Sequence, residues 1–410
     1  MARQPKTPET IRQAIDLRVF LEMPLQALTD SRRLLAIMKE AEALVREIDD
    51  PSRECQVLAY LCEAHTNVGE RRVGIEYGQR AVQLADRIGR TRLSVLSKVV
   101  LGIAYTQRGA YREALSLLRA SADAARPRLI PMSAGDLPAA PQPSQIYATY
   151  AYVFANCHAA FCLVELGDLA SAAMMADEAV KTAEVLGMAV PLMAALMASA
   201  VVYTRTGNFE VAAGLTARWQ RILQTTDVDV ASFAFPQATV DHSVLNHTEE
   251  VTEAIQVVEG LRRSAESSSA IRWQPLYCAH LAEAYGHVGR TEEAVATARY
   301  AIDLGRRSER PAQEAWSHYT LGRILARQAQ PEVKDAREEL EAGLHLAREI
   351  GMRPLEAQCL LELGSLPALP TEERREHLAT ATRMFAEMGM EFWRETAEQA
   401  QAQLARAEDR

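Results

Sequence analysis

Apolar residues along this chain recur in runs with a helical rhythm, and the runs are punctuated by glycines in similar local settings. Five segments line up on such a glycine. They read Leu61…Val68-Gly69-Glu70…Ala81, Leu101-Gly102…Tyr105…Gly109-Ala110-Tyr111-Arg112-Glu113-Ala114, Leu163…Gly167-Asp168-Leu169…Ala172, Tyr203…Gly207-Asn208-Phe209…Ala212 and Leu281-Ala282…Tyr285…Gly289-Arg290-Thr291-Glu292-Glu293-Ala294. The glycines are 40, 58, 40 and 82 residues apart. The longest step is two repeats of about 41 residues, so a degenerate repeat is expected between Gly207 and Gly289, where Thr248–Ala254 mimics Thr291–Ala294. The 58-residue step is one repeat plus an insertion. Arg126–Gln145 supplies it, and Pro127, Pro131, Pro138, Pro141 and Pro143 exclude regular helix there.

Each unit predicts a pair of helices. The first ends at the glycine, which closes a helix by taking the left-handed conformation. Asp168, Asn208 and Thr291 stand where a cap for the second helix belongs. A small residue five positions after the glycine (Ala114, Ala172, Ala212, Ala294) lets the second helix pack closely on the first. Neither helix can bury its apolar stripe alone, so the units must stack. Leu321-Gly322 and Leu363-Gly364 open two further units, with Pro331, Pro367 and Pro370 in their turns. The expected fold is therefore all-α: a tetratricopeptide-like (TPR-like) solenoid forming a right-handed superhelix of eight or nine helix pairs. The expected divisions are capping helices in 1–50, repeats in 51–125, a Pro-rich loop in 126–146, repeats in 147–388 and a capping helix in 389–410.

Composition narrows the function. Hydrophobic residues are 48% and charged residues 24% of 410, as in a chain with a real core, while aromatics are only 6%. The formal net charge of -9 repels a phosphate backbone, and no basic stripe interleaved with aromatics occurs, so neither nucleic acid nor an acidic membrane is the expected partner. Six cysteines at 55, 62, 157, 162, 278 and 359 include no C-x-x-C pair, which suits reduced thiols used as small core residues. The opening residues lack the apolar run of a signal peptide and no membrane-spanning stretch stands out, so a cytoplasmic location is expected and the Asn246-His247-Thr248 sequon carries no weight.

Repeats near 40 residues exceed the ordinary 34-residue TPR unit, and the two ends have their own wording. Gln13-Ala14-Ile15-Asp16-Leu17-Arg18 opens the array; Gly351-Met352-Arg353-Pro354-Leu355…Leu363-Gly364 and Met384-Phe385-Ala386-Glu387-Met388-Gly389-Met390-Glu391-Phe392-Trp393 close it. Over nearly its whole length the chain resembles the C-terminal TPR region of large bacterial signalling proteins that join a class III adenylate/guanylate cyclase, a P-loop ATPase and helical repeats. The resemblance implies a regulatory, partner-sensing portion only. No G-x-x-x-x-G-K-[ST] loop is present and the repeats leave no room for a cyclase domain, so neither activity carries over.

Catalytic signals are missing. His280 and His287 lie seven apart on one expected helix, but no H-E-x-x-H occurs and no carboxylate completes a compact metal site; satisfied or solvent-facing histidines are the plainer alternative. There is no G-x-S-x-G. Adjacent carboxylates such as Asp49-Asp50 and Glu292-Glu293 sit at helix ends, where solvation or a neighbouring N-terminus accounts for them. The expectation is a protein without enzymatic activity or cofactor.

In TPR arrays, fixed positions of each first helix line the concave wall. Here they give Leu96, Val99, Ile103, Thr106 and Gln107, then Phe154, Cys157, Phe161, Val164 and Glu165, then Ala194, Met197, Val201, Thr204 and Arg205. The central groove is thus expected to be apolar, turning polar towards both ends, at Gln56, Glu63, Thr66 and Asn67 in the first unit and at Glu283, His287, Trp316, Tyr319 and Arg323 in the later ones. Ile103, Phe161 and Val201 occupy the positions of the Lys/Asn carboxylate clamp of some TPR proteins, which disfavours an acidic C-terminal tail as ligand. Two states of the groove stand as alternatives: open for an apolar or amphipathic protein segment, or filled by superhelix closure or by the Pro-rich loop through Gly135 and Leu137. Three functions follow. The first is a protein-interaction scaffold using the groove. The second is a small-ligand sensor using Trp316, Tyr319, Arg323 and His287, and the third is a structural homo-oligomer.

Overall fold

A computed structural model of the chain describes residues 6–22, 25, 30–130, 142–226, 251–267, 274–328, 332–367 and 369–408. Among them are eighteen α-helices and no strand. Two helices lead, α1 (Pro8–Phe20) and α2 (Ser31–Val45). Helix pairs follow: α3 (Pro51–Asn67) with α4 (Arg71–Ile88), α5 (Thr91–Arg108) with α6 (Tyr111–Ala125), α7 (Pro143–Leu166) with α8 (Leu169–Leu186), and α9 (Ala189–Thr206) with α10 (Phe209–Gln224). Next stands α11 (Val251–Ser267), the second helix of the degenerate repeat, whose first helix would fall outside the described residues. Three pairs complete the array: α12 (Gln274–His287) with α13 (Thr291–Arg307), α14 (Pro311–Ala326) with α15 (Val333–Ile350), and α16 (Arg353–Ser365) with α17 (Thr371–Met388). Helix α18 (Glu391–Glu408) packs on α17 at the end.

Local chemistry explains these boundaries. The repeat glycines 69, 109, 167, 207 and 289 all have positive φ, between 79° and 95°. The Asp168 and Asn208 side chains accept hydrogen bonds from the backbone N–H groups of Ser171 (3.1 Å) and Val211 (3.4 Å), satisfying otherwise orphaned donors. Thr291 does not cap: it is the first residue of α13, and Arg290 holds the cap position without a side-chain bond. The recurring Leu-Gly step has a packing cause. A Cβ on Gly102, Gly322 or Gly364 would come within 2.6–2.7 Å of Leu118, Leu340 or Leu378, each from the second helix of the same pair. The missing side chain is the socket for that leucine.

First and second helices are buried differently. In α8 a single stripe (Leu169, Ala172, Ala176, Ala179, Ala183) faces the core, as an outer amphipathic helix requires. In α7 every residue from Ala155 to Val164 is buried, in α9 every residue from Met193 to Val202, and in α14 every residue from Ala315 to Leu325. These helices are covered on all sides, including the side that faces the superhelix axis. Helix α9 is thereby long and apolar enough to cross a membrane by composition alone, contrary to the sequence reading, yet 72% of it is buried inside the protein.

At the C-terminal ends of the first helices, the inner face is covered by the chain's own second half. The closing glycine of α5 abuts α14 and α15: a Cβ on Gly109 would lie 3.8 Å from the Ala312 Cβ and 3.1 Å from Ile350. Gly167, after α7, approaches Met388 and Arg353; Gly207, after α9, approaches Phe392. Helix α7 packs on α16, and Arg310 donates a hydrogen bond to Gln107 across 203 residues of sequence (3.3 Å). A stacked solenoid ordinarily touches only neighbouring repeats. This one closes on itself, and one apolar core runs from Ile11 to Leu404.

Candidate functional site

Closure changes the meaning of the apolar groove residues. Leu96, Val99, Phe161, Met197 and Val201 are buried, and Ile103 and Phe154 are half-buried. Phe154 stacks on Tyr150 (4.7 Å between centroids), and Phe161 meets His158 edge-on (5.6 Å). Gln107 is occupied by Arg310. Of the two alternatives for the groove, open or filled, these apolar residues are buried here, and superhelix closure seats α14, α16 and α18 against the C-terminal ends of α5, α7 and α9. The alternative covering segment, the Pro-rich loop around Gly135 and Leu137, lies outside the described residues.

The polar residues of the inner wall behave otherwise, for they converge. The guanidinium carbon of Arg205 lies 3.9 Å from the centroid of the Trp316 ring, a cation–π contact between α9 and α14. Trp316 meets Tyr319 edge-on at 5.7 Å, and the Arg323 guanidinium lies over the Tyr319 ring at 5.2 Å. Arg323 pairs with Glu283 (2.6 Å) and Glu362 (3.0 Å), and Glu362 also binds Arg327 (3.0 Å). Glu165 joins from α7: burial lifts its carboxyl above the ordinary range, against the pull of the Arg205 charge and a hydrogen bond from Trp316. Burial, reinforced by the Arg205 charge, depresses His280 to about 3, so its imidazole is neutral near pH 7. Burial also raises the Tyr319 phenol, which keeps its proton.

Two adjoining spaces lie among these side chains. A cavity of about 400 Å³ is walled by α12, α14, α16 and α18, with His287, Arg323, Arg327, Glu362, Phe392 and Trp393 on its lining. A chamber of about 30 Å³ lies deeper, against Arg205, His280, Trp316, Tyr319, Gln358 and Trp393. Arg323 and Trp393 line both. All four residues singled out in the sequence as a polar-aromatic set (Trp316, Tyr319, Arg323 and the exposed His287) thus border one or both spaces. The apolar set does not.

Sequence reasoning missed Gln358, Glu362, Phe392 and Trp393 as lining residues. Phe392-Trp393 belongs to a helix polar enough to pass for a cap, and only its position against the inner wall shows that it faces a cavity. A tryptophan in an otherwise polar terminal helix was the available signal. The six cysteines are all free and buried, and burial raises the thiols of Cys157 and Cys359.

Neither a protein-family model nor a curated protein sequence matches the chain. Solved structures do. A Rap protein complexed with competence and sporulation factor superposes with a TM-score of 0.54 at 10% identity, covering 96% of this chain and 99% of that one. The apo form of RapI gives 0.50 at 13% identity over 72% and 98%. A signal transduction ATPase with a tetratricopeptide repeat sensor from Pyrococcus horikoshii gives 0.34 at 11% identity over 90% and 52%. The chain has a TPR-like helical-repeat fold.

Proposed function

We propose that the chain is a non-catalytic regulatory sensor module, which takes a small ligand into the cavity walled by α12, α14, α16 and α18. The observation that carries this reading is the convergence of Arg205, Trp316, Tyr319 and Arg323 on a small chamber that shares Arg323 and Trp393 with the larger cavity, while the apolar wall beside it is buried. About 400 Å³ falls in the usual range of small-ligand sites, which combine aromatic walls with a few placed polar groups. Lining that belongs to four different helices gives binding a means of acting on the array: a ligand there bridges repeats whose relative positions set the closure. In the resemblance to the cyclase–ATPase proteins, this is the portion that would sense a signal and pass it on.

A second reading, recognition of a peptide or protein, is favoured by the Rap neighbour, which carries a bound factor on a solenoid of similar outline. For that reading the partner enters at the same cavity or docks on the outer helices, since the central groove is closed.

The test is a melting-temperature screen across neutral, anionic and cationic metabolites, run on the wild type and on Ser365→Trp, which places an indole at the cavity lining. A ligand at 100 times its Kd stabilises the fold by about 2.7 kcal/mol. A hit lost in Ser365→Trp supports the site. A screen flat in every class, or a hit equally strong in both proteins, refutes it.

A further inference from the structure

The 30 Å³ chamber has a hydrogen-bonding inventory that specifies a ligand group. Four side chains on its lining carry a buried polar atom with no hydrogen-bond partner on the protein: His280 Nε2, Tyr319 Oη, Gln358 Oε1 and Trp393 Nε1. Their residues are 6%, 3%, 2% and 8% exposed, so the protein itself has withdrawn these atoms from bulk water. Buried polar atoms left unmet are costly, and four around one small space are far above the usual density. They come from α12, α14, α16 and α18, the same helices that wall the larger cavity.

The signs of these groups matter. The indole Nε1–H only donates, the carboxamide oxygen only accepts, and a phenol and a neutral imidazole nitrogen do either. The cations nearby are already engaged: Arg323 pairs with the carboxylates of Glu283 and Glu362, and Arg205 lies over the face of the neutral Trp316 ring. An ion entering the chamber would have to disturb those pairs. A neutral group that donates and accepts at once would complete what is unmet. At about 10–15 Å³ per water-sized group, the volume admits a head of about two or three heavy atoms, while the body of the molecule has the 400 Å³ space beyond Arg323 and Trp393.

We propose that the chamber is the specificity subsite of the cavity, and that it selects a ligand bearing an uncharged hydroxyl or primary amide head. This rests on the cavity being the ligand site but adds the chemical class that enters it. His280, neutral across the physiological range because burial and Arg205 hold its imidazole at about 3, fits an uncharged head.

The indole N–H of Trp393 is the reporter. In a deuterated, ¹⁵N-labelled full-length protein its signal is assigned by its loss in Trp393→Phe. The protein is titrated separately with glycerol, acetamide, acetate and methylammonium. The expected result is a saturable shift of the Trp393 signal with glycerol or acetamide, and none with acetate or methylammonium. Glycerol and acetamide as separate arms decide between a hydroxyl and an amide source. Tyr319→Phe and Gln358→Leu, checked for unchanged helicity, should each weaken the apparent Kd at least about tenfold, the equivalent of losing one hydrogen bond in a buried site. A stronger response to either ion overturns the proposal. So does the absence of any saturable response, which would make the chamber a water site. If the melting screen yields a hit that Ser365→Trp abolishes while the Trp393 signal ignores both neutral probes, the sensor function stands and the subsite falls. If neither experiment responds, both fall.

Discussion

Closure of the superhelix predicts that two glycines with the same backbone conformation respond differently to the same substitution. Gly207 has φ 82° and Gly187 has φ 66°, and each ends a helix in the left-handed region. Gly→Ala at either costs about 1–2 kcal/mol of backbone strain, offset at both by about 0.4–1 kcal/mol from the restricted unfolded chain. Their surroundings differ. Nothing lies within 4 Å of a Cβ on Gly187, whereas a Cβ on Gly207 would stand 2.5 Å from the Phe392 Cβ. Ordinary carbon contacts need about 3.5–4.0 Å, so α18 must retreat by about 1 Å or more. Overpacking of this kind costs about 1–3 kcal/mol, and that is the expected excess of Gly207→Ala over Gly187→Ala in urea unfolding. Hydrogen exchange should also show faster opening of α18 amides in Gly207→Ala alone. Equal losses and unchanged α18 exchange in both variants would refute the closure, since only strain common to the two positions would then be acting.

Other expectations are briefer. His280 binds a proton in the unfolded chain near pH 6.5 but only at about 3 when folded. Stability is therefore full above about 6.5 and falls as pH drops towards 3, with a slope of up to about 1.4 kcal/mol per pH unit; His280→Gln should flatten the melting temperature between pH 6.5 and 4. Leu340 is fully buried in the socket of Gly322, so Leu340→Ala should cost about 2–5 kcal/mol in denaturant unfolding. Glu362 is the acceptor shared by Arg323 and Arg327, and Glu362→Leu should destabilise by about 3–5 kcal/mol by leaving buried Arg323 short of a carboxylate. A fall under 1 kcal/mol in the same assay would show that Glu283 alone suffices.

The repeats were legible because their determinants are local. A glycine closing a helix, a cap at Asp168 or Asn208, and an alanine against the preceding helix each depend on a few neighbouring residues. The Leu-Gly step belongs with them, since the leucine it accommodates lies in the next helix of the same pair. Whether Ile103, Phe161 or Val201 faces solvent is decided differently. It depends on the small rotation between repeats summed over the whole array, and no short pattern encodes that sum. An apolar inner wall was visible in the sequence; that α14, α16 and α18 would cover it at the helix ends was not. The polar set fared better for the same physical reason in reverse. Trp316, Tyr319 and Arg323 lie on one face of one helix, so their proximity is local, whereas their meeting with Arg205, Gln358 and Trp393 required the closure. Glu165 and Gln107, placed on the groove by repeat register, turn out to be held by contacts from the far half of the chain.

The closure itself can be read with a single crosslink. A Cβ on Gly109 would lie 3.8 Å from the Cβ of Ala312, inside the range of about 3.5–4.5 Å that a disulfide spans. Gly109→Cys/Ala312→Cys joins the end of α5 to the start of α14, two residues that an open solenoid would hold far apart. Mild oxidation of the double variant, followed by non-reducing electrophoresis and mass analysis, should give a near-complete intramolecular disulfide. A variant that keeps both new thiols reduced while remaining fully helical would contradict the closed superhelix, and with it the cavity at its end.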